Sequence, residues 1–380
     1  MCTEWKTYEL GTLLSYEQPT AYIVESTDYN DNYQTPVLTA GKSFIIGYTN
    51  ETSGIYKSLP VIIFDDFTTS SQYVNFPFKV KSSAMKILSP NTELVLPKFI
   101  YYRMQIIQFD HSTHKRYWIQ QYSKIKVKIP PIPEQERIIC KIEELFSKLN
   151  ASVAELKTAK EKLKVYRQAV LKEAFDSVQA NSKRVTIKSV CETIKVGIVI
   201  KPTQYYVEQG GVFAFRNANV RRNYIEDKDW AMISQEGHQK NLKSQVHIGD
   251  VLIARSGVNL GMAATVPQKY DGYNAIDVVI AVPKKEFILS QYLAQYTNSP
   301  YGLEIVRKNQ HGAAQGHLNV KEYGNLPIFL PNIPEQYSLL KKIESRLSVC
   351  DNIEQTIDTS LQQAEALRQS ILKQAFEGEI

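Results

Sequence analysis

Residues able to do chemistry are plentiful in this chain, yet their spacing matches no common catalytic arrangement. Gly41-Lys42-Ser43 ends like a phosphate-binding loop, but Pro36 stands where the first glycine of such a loop would be, so the backbone could not wrap a phosphate. The segment reads as a turn. Asp65-Asp66 would suit Mg²⁺, but no Glu-x-Lys follows at nuclease spacing, and Glu226-Asp227-Lys228 lacks an acidic residue just upstream. The six histidines (111, 114, 238, 247, 311 and 317) form no His-Glu-x-x-His, and there is no Gly-x-Ser-x-Gly, no glycine-rich dinucleotide fingerprint and no Asn-Pro-Pro-Tyr. Cys2, Cys140, Cys191 and Cys350 are too far apart for a zinc knuckle or a dense disulfide framework, which fits a reducing cytoplasm. The expectation is a chain that binds rather than catalyses, with no metal site of its own.

Several polar loops suggest what is bound. Arg216-Asn217-Ala218-Asn219-Val220-Arg221-Arg222-Asn223 mixes guanidinium groups with amides, the side chains that pair in two-pronged fashion with guanine and adenine edges. Arg255-Ser256-Gly257 directly follows an apolar run, and Lys308-Asn309-Gln310-His311-Gly312, with Gln315 and His317, forms another polar stretch. Earlier in the chain, Thr68-Thr69-Ser70-Ser71-Gln72-Tyr73 and the segment from His111 to Trp118, with Lys115-Arg116-Tyr117, occupy similar places. The candidate DNA contacts are therefore Thr69, Ser71, Gln72, Tyr73, Lys115, Arg116, Tyr117, Arg216, Asn217, Asn219, Arg221, Arg222, Arg255, Ser256, Asn309, Gln310, Gln315 and His317. Each stretch alone reads as a solvated loop. Their recurrence in both halves of the chain favours a reader of bases.

The elements that must position these loops follow from an internal repeat: residues 130 to 176 match residues 331 to 377 without a gap, at a constant offset of 201. Pro130, Ile132, Pro133, Glu134 and Gln135 recur as Pro331, Ile333, Pro334, Glu335 and Gln336, and Arg167-Gln168, Leu171-Lys172 and Ala174-Phe175 recur as Arg368-Gln369, Leu372-Lys373 and Ala375-Phe376. Within the repeat, positions 138, 142, 145, 149, 152, 156, 159, 163, 166 and 170 step by four and three and are mostly apolar, as are their counterparts 201 residues on. That is a coiled-coil seam. Pro133 and Pro334 suit a first helical turn and Glu134 and Glu335 its positive dipole end, which predicts two helices of about 42 residues, roughly 63 Å long. A helix so long with so narrow a stripe must bury it against its twin or another subunit. Phe146 and Leu347 lie off the seam, and Phe175 and Phe376 recur at the helix ends, so these four are the candidate partner interface; the alternative for the two end residues is packing on the neighbouring domain.

Between the repeats, short β-branched or aromatic runs predict strands at Val61–Phe64, Ile125–Val127, Val212–Phe215, Val251–Ala254 and Val278–Ala281, with helices over Ser290–Tyr296 and Glu304–Lys308. The fold class expected is α/β: domains at 1–128 and 178–329, separated by helical repeats at 129–177 and 330–380 that form an antiparallel coiled coil. Residues 1 to 128 hold 13 Lys+Arg against 11 Asp+Glu and residues 178 to 329 hold 18 against 12, whereas the two helical repeats together are slightly acidic. The basic excess is in the domains, where a polyanion would dock. No run of 18 apolar residues and no signal-peptide pattern is present, so neither a membrane span nor secretion is expected.

The duplicated Pro-x-Ile-Pro-Glu-Gln before a long helix that ends in Arg-Gln-x-x-Leu-Lys-x-Ala-Phe resembles the specificity subunits of type I restriction-modification enzymes, over the whole chain. The resemblance implies two target recognition domains, each binding one half of a bipartite sequence in double-stranded DNA. It further implies an antiparallel helix pair that fixes their separation and docks two methyltransferase subunits, with restriction subunits completing the complex. S-adenosylmethionine, ATP and Mg²⁺ would then be used by those partners and not by this chain. Arg255-Ser256-Gly257 and the loop from Gly312 to Asn319 look like family features of the second domain; the first carries Phe64-Asp65-Asp66-Phe67 and Arg116-Tyr117-Trp118 instead. The rival readings are a coiled-coil scaffold with two protein-binding domains and an autonomous nuclease.

Overall fold

The computed structural model describes residues 4–41, 43–111, 116–308 and 317–379, without the side chains of 305, 307 and 308. Contacts divide the chain into two compact units: unit 1 comprises Met1–Leu156 with Asp358–Ile380, and unit 2 is Lys157–Ile357. Both long helices are present, Ile132–Gln179 and Ile333–Glu377; the first runs four residues past Phe175 and the second one residue past Phe376, where the repeat predicts their ends.

Among its described residues unit 1 holds nine strands: β1 (Lys6–Glu9), β2 (Leu14–Glu17), β3 (Thr35–Leu38), β4 (Ile45–Thr49), β5 (Val61–Asp65), β6 (Ser71–Val74), β7 (Lys79–Val80), β8 (Met85–Pro90) and β9 (Lys126–Ile129). They form a four-stranded antiparallel sheet in the order β2-β8-β5-β6, a three-stranded sheet β4-β3-β7 and the pair β1-β9. Every residue from Val61 to Phe64 is at most 1 % exposed. Ile62 and Phe64 face the cluster shared with the helices, and Val61 and Ile63 face the one beneath the smaller sheet. A continuous apolar run in a short strand is what two buried faces require.

Unit 2 holds β10 (Lys183–Thr186), β11 (Cys191–Val196), β12 (Val212–Phe215), β13 (Ala231–Ile233), β14 (Val251–Ala254), β15 (Ala263–Thr265), β16 (Asn274–Ala275), β17 (Val278–Pro283) and β18 (Pro327–Leu330). Its sheets are β11-β17-β14-β15, β13-β12-β16 and β10-β18. Strand for strand this is the order of unit 1, including a parallel strand pairing, β12 with β16 here and β3 with β7 there. The duplication thus extends through the domains, where the sequence shows no repeat. The registers agree as well: Ile63 faces Ile87 and Gln72, as Leu252 faces Ile280 and Ala264.

Within each unit the two long helices run antiparallel. In unit 1 the Arg368 guanidinium lies 4.5 Å from the Phe146 ring centroid and donates to Asn150 Oδ1. In unit 2, Arg167 contacts Asp351 at 2.7 Å and Glu354 at 3.0 Å, and Arg346 contacts Glu173 at 2.8 Å. The seam is buried at Ile138, Ile142, Val170, Leu339, Ile343, Cys350 and Ile371, but Tyr166, Ile353 and Leu367, on the same predicted stripe, are 45 % or more exposed. The difference has a physical reason. Each helix end also packs on its domain, so the buried face widens to take in Ile139, Phe146, Leu171, Phe175, Leu372 and Ala375 and turns away from a strict two-row stripe.

The repeated glutamine explains why the lead-in to each helix is duplicated. Gln135 is fully buried; its Oε1 accepts from Leu96 N at 2.8 Å, and its Nε2 donates to Leu94 O at 3.0 Å and Pro130 O at 2.8 Å. Gln336, also fully buried, repeats the pattern with Leu289 N (2.9 Å), Phe287 O (2.9 Å) and Pro331 O (3.0 Å). Leu96 and Leu289 are the residues before the domain helices Pro97–Met104 and Ser290–Asn298, so one side chain ties the start of a long helix to the start of a short one. Both ends carry backbone groups without helical partners, and the amide supplies them.

Candidate nucleic-acid interface

Three chain segments of unit 2 converge beside the ends of β12, β14 and β17. Arg216 leaves β12 into a 3₁₀ turn at Asn217–Asn219, Arg255 leaves β14, and Asp277 precedes β17. Asn217 joins them: its Oδ1 accepts from Arg255 N at 2.8 Å, its Nδ2 donates to Ser256 Oγ at 2.8 Å, and its carbonyl accepts from Asn259 Nδ2 at 2.9 Å. Arg255 Nη1 lies 3.2 Å from Asp277 Oδ1, and Arg216 Nη2 donates to Asp229 O. Arg216, Asn217, Ala218, Asp229, Ile276 and Asp277 line an open depression of about 580 Å³. Arg216 Nε, Arg221 Nη1 and Arg255 Nε are sheltered from solvent and have no acceptor among the described residues, although Arg221 Nε lies 3.6 Å from Glu226. Arg222 is exposed.

The expected contacts therefore divide. Arg216, Asn217, Arg255 and Ser256 are brought together, and His317 is exposed just ahead of Leu318, whose N–H donates to Arg255 O at 3.0 Å. Asn219 must be corrected from contact to scaffold: it is fully buried, its Oδ1 accepts from Arg216 N, and its Nδ2 donates to Glu226 O and Lys228 O. Lys115, Asn309, Gln310 and Gln315 lie outside the described residues. Sequence reasoning missed Asp277, whose only signal is a charge interrupting the apolar run from Ala275 to Pro283. It also missed Val258, which is 97 % exposed at the tip of the turn after Arg255. Gly257 holds φ +71° there, a conformation that costs glycine nothing.

In unit 1 the matching strand register puts Asp66 where unit 2 has Arg255, and Tyr117 N donates to Asp66 O at 2.9 Å just as Leu318 N donates to Arg255 O. Phe64-Asp65-Asp66-Phe67 and Arg116-Tyr117-Trp118 are thus the topological equivalents of the second domain's two loops. Asp66 turns inward, 3.3 Å from Lys86, with both side chains 1 % exposed, and accepts from Trp118 N at 2.8 Å. Asp65 Oδ1 caps the following turn through Phe67 N and Thr68 N, so the pair of aspartates is committed to structure. Tyr117, expected to touch DNA, is 2 % exposed in the core, because the segment returns to the sheet there as Leu318 does. Ser71 is likewise withdrawn, 7 % exposed and bonded to Gln105. Thr69, at φ +56° with its hydroxyl 2.9 Å from His111 Nε2, and half-buried Gln72 and Tyr73 stay at the hairpin, and Arg116 is exposed.

The proposed partner contacts change too. Phe175 is fully buried against Tyr292 and Tyr296, and Phe146 is 8 % exposed beneath Arg368, edge-on to Tyr102, so neither ring is available to another subunit. Phe376 packs on Phe99 with ring centroids 5.1 Å apart, and Leu347 is partly buried on the unit 2 core. The physical reason is common to all four: the domain beside each helix end covers the off-seam face. Val349, on the second long helix, remains 56 % exposed. Cys191 is enclosed as well, and burial pushes its thiol up to about 12. No helix among the described residues is long and apolar enough to cross a membrane.

No protein-family profile matches the chain. A fold of paired domains and paired long helices is shared with a chain in a solved structure on complex assembly and conformational transition of the type I R-M system. The TM-score is 0.70 at 17 % identity, over 99 % of this chain and 98 % of that one. The sequence is 32 % identical over 379 residues to the type I restriction enzyme EcoR124I/EcoR124II specificity subunit of Escherichia coli, covering 96 % of this chain and 91 % of that protein. It is 26 % identical over 274 residues to the EcoBI specificity subunit of the same organism, covering 66 % and 58 %. The chain belongs to the specificity subunits of type I restriction enzymes.

Proposed function

We propose that this chain is the non-catalytic target reader of a type I restriction-modification complex: each domain contacts one half of a bipartite sequence in double-stranded DNA, and the helix pair carries the assembly. Two methyltransferase subunits and the restriction subunits dock on it, and S-adenosylmethionine, ATP and Mg²⁺ act within those partners. The observation that carries the reading is the pair Arg216 and Arg255 beside Asn217 and Asp277: the Nε of each is sheltered and has no acceptor among the described residues. A donor left unpaired costs stability, and phosphates or base edges are the acceptors that would relieve it.

Arg255→Ala is expected to weaken binding of the assembled complex to its target by about 1–3 kcal/mol, read by fluorescence anisotropy. Wild-type affinity should also fall steeply with salt as counterions leave the duplex. An affinity that ignores both salt and Arg255 would favour the protein-binding scaffold instead. Native mass spectrometry of the complex tests the stoichiometry, and two methyltransferase copies per chain are expected. Methylation or cleavage of DNA by the isolated chain would refute its non-catalytic role.

A further inference from the structure

We infer that Asp277 is a positioning residue that fixes which edge of Arg255 is offered to DNA, making the half-site met by unit 2 selective for guanine at one position. The inference rests on the reading of unit 2 as a DNA interface and adds to it the group that orients the contact and the base it selects. Asp277 is not an isolated surface carboxylate. Its Oδ1 receives Arg255 Nη1 at 3.2 Å, and its Oδ2 lies 3.4 Å from both Asn217 Nδ2 and Ser256 Oγ, so three segments meet on one side chain. The Arg255 and Asp277 side chains are 17 % and 36 % exposed, and Arg255 is further tied by its backbone N–H to Asn217.

The chemistry follows from the shape of the guanidinium. With Nη1 held by Asp277, the opposite edge carries two parallel N–H bonds, on Nε and Nη2, and no hydrogen bond to either is found among the described residues. Guanine offers N7 and O6 at matching separation, whereas adenine puts an amino donor where O6 would be. Nε is sheltered in the free chain, so docking turns the guanidinium slightly about the Asp277 contact. A phosphate would also fit that edge, but it carries a full negative charge and would sit close to the Asp277 carboxylate. Repulsion therefore weights the site toward a base edge and away from the backbone. Unit 1 lacks the device: Asp66 stands at the Arg255 position, and the residues before β8 are Lys81-Ser82-Ser83-Ala84.

The test uses the complex of this chain with its methyltransferase partner and a duplex whose target is defined by the bases that complex methylates. Each guanine in turn is replaced by 7-deazaguanine, which removes only N7. Wild type should lose roughly tenfold in affinity at one guanine. Asp277→Asn keeps a residue suited to the backbone at φ +52°. It should lose that single-position sensitivity and bind a scrambled duplex several-fold more tightly. Arg255→Lys keeps the charge without the two-pronged edge and should also lose the sensitivity. An Asp277→Asn complex with the wild-type 7-deazaguanine pattern, or weakened equally on every duplex, would overturn the positioning role. A wild-type complex that does not distinguish target from scrambled duplex would instead overturn the DNA reading itself.

Discussion

Replacing Lys86 by methionine is expected to destabilise unit 1 by about 3–5 kcal/mol, because it strands the Asp66 carboxylate in the core. The two side chains are each 1 % exposed and 3.3 Å apart, so water cannot take over from the lost ammonium. Trp118 N would still donate to Asp66 Oδ1, but Oδ2 would have no partner among those the structure gives it. Adding Asp66→Asn should recover much of the loss, since the amide oxygen can keep the Trp118 contact without a charge. Denaturant unfolding checks both variants, followed by the fluorescence of Trp5 and Trp118 in unit 1 and Trp230 in unit 2. The unit 2 transition should stay in place. Equal losses for the single and double variants would show that the charge of Asp66 is not what destabilises.

Gln135→Ala and Gln336→Ala should each cost roughly 3 kcal/mol or more, and each in its own unit. Either change leaves one N–H and two carbonyl groups in the interior without the side chain that served them, at about 1–3 kcal/mol per unsatisfied group. Glutamate in place of either glutamine presents oxygen to two carbonyl oxygens, so it should be no better than alanine despite its similar volume. Glutamate variants as stable as the wild type would mean that shape, not hydrogen bonding, keeps the residue. Thermal unfolding of the four variants, with the same tryptophan probes, separates the cases.

The long helices were legible because their signal is long and doubled: a gapless match at an offset of 201 fixes both lead-ins, and the structure ends the helices within a few residues of the predicted phenylalanines. The central strands of each large sheet were legible for a different reason, since burial on both faces demands unbroken apolar runs such as Val61–Phe64 and Val251–Ala254. The strands of the smaller sheets were mostly invisible. β7 and β16 have two residues each, too few to show any period. The duplication of the domains left no trace in residue types because the shared property is pairing order, which many sequences satisfy. The site was legible as chemistry but not as exposure. Arginine beside asparagine could be read directly, whereas the inward turn of Tyr117 and Asn219 depends on where a distant strand places the backbone. The hub at Asp277 joins residues 38 and 60 positions apart from Asn217, beyond the reach of local spacing.

The two units differ in how their parts arrive during synthesis. Unit 2 is one uninterrupted stretch and has everything its core needs once Ile357 has left the ribosome. Unit 1 is interrupted, and its core includes Ile371, Leu372 and Ala375, with Phe376 covering Phe99. The first domain therefore waits, with Phe99 and the Ile138–Ile142 face uncovered, while the whole of unit 2 is translated and folded. Domains generally fold as units in the order they emerge, and uncovered apolar surface is what chaperones hold. Here the earlier domain is completed last, so a nascent chain interrupted after Ile357 carries every residue of unit 2 but lacks the last helical segment of unit 1.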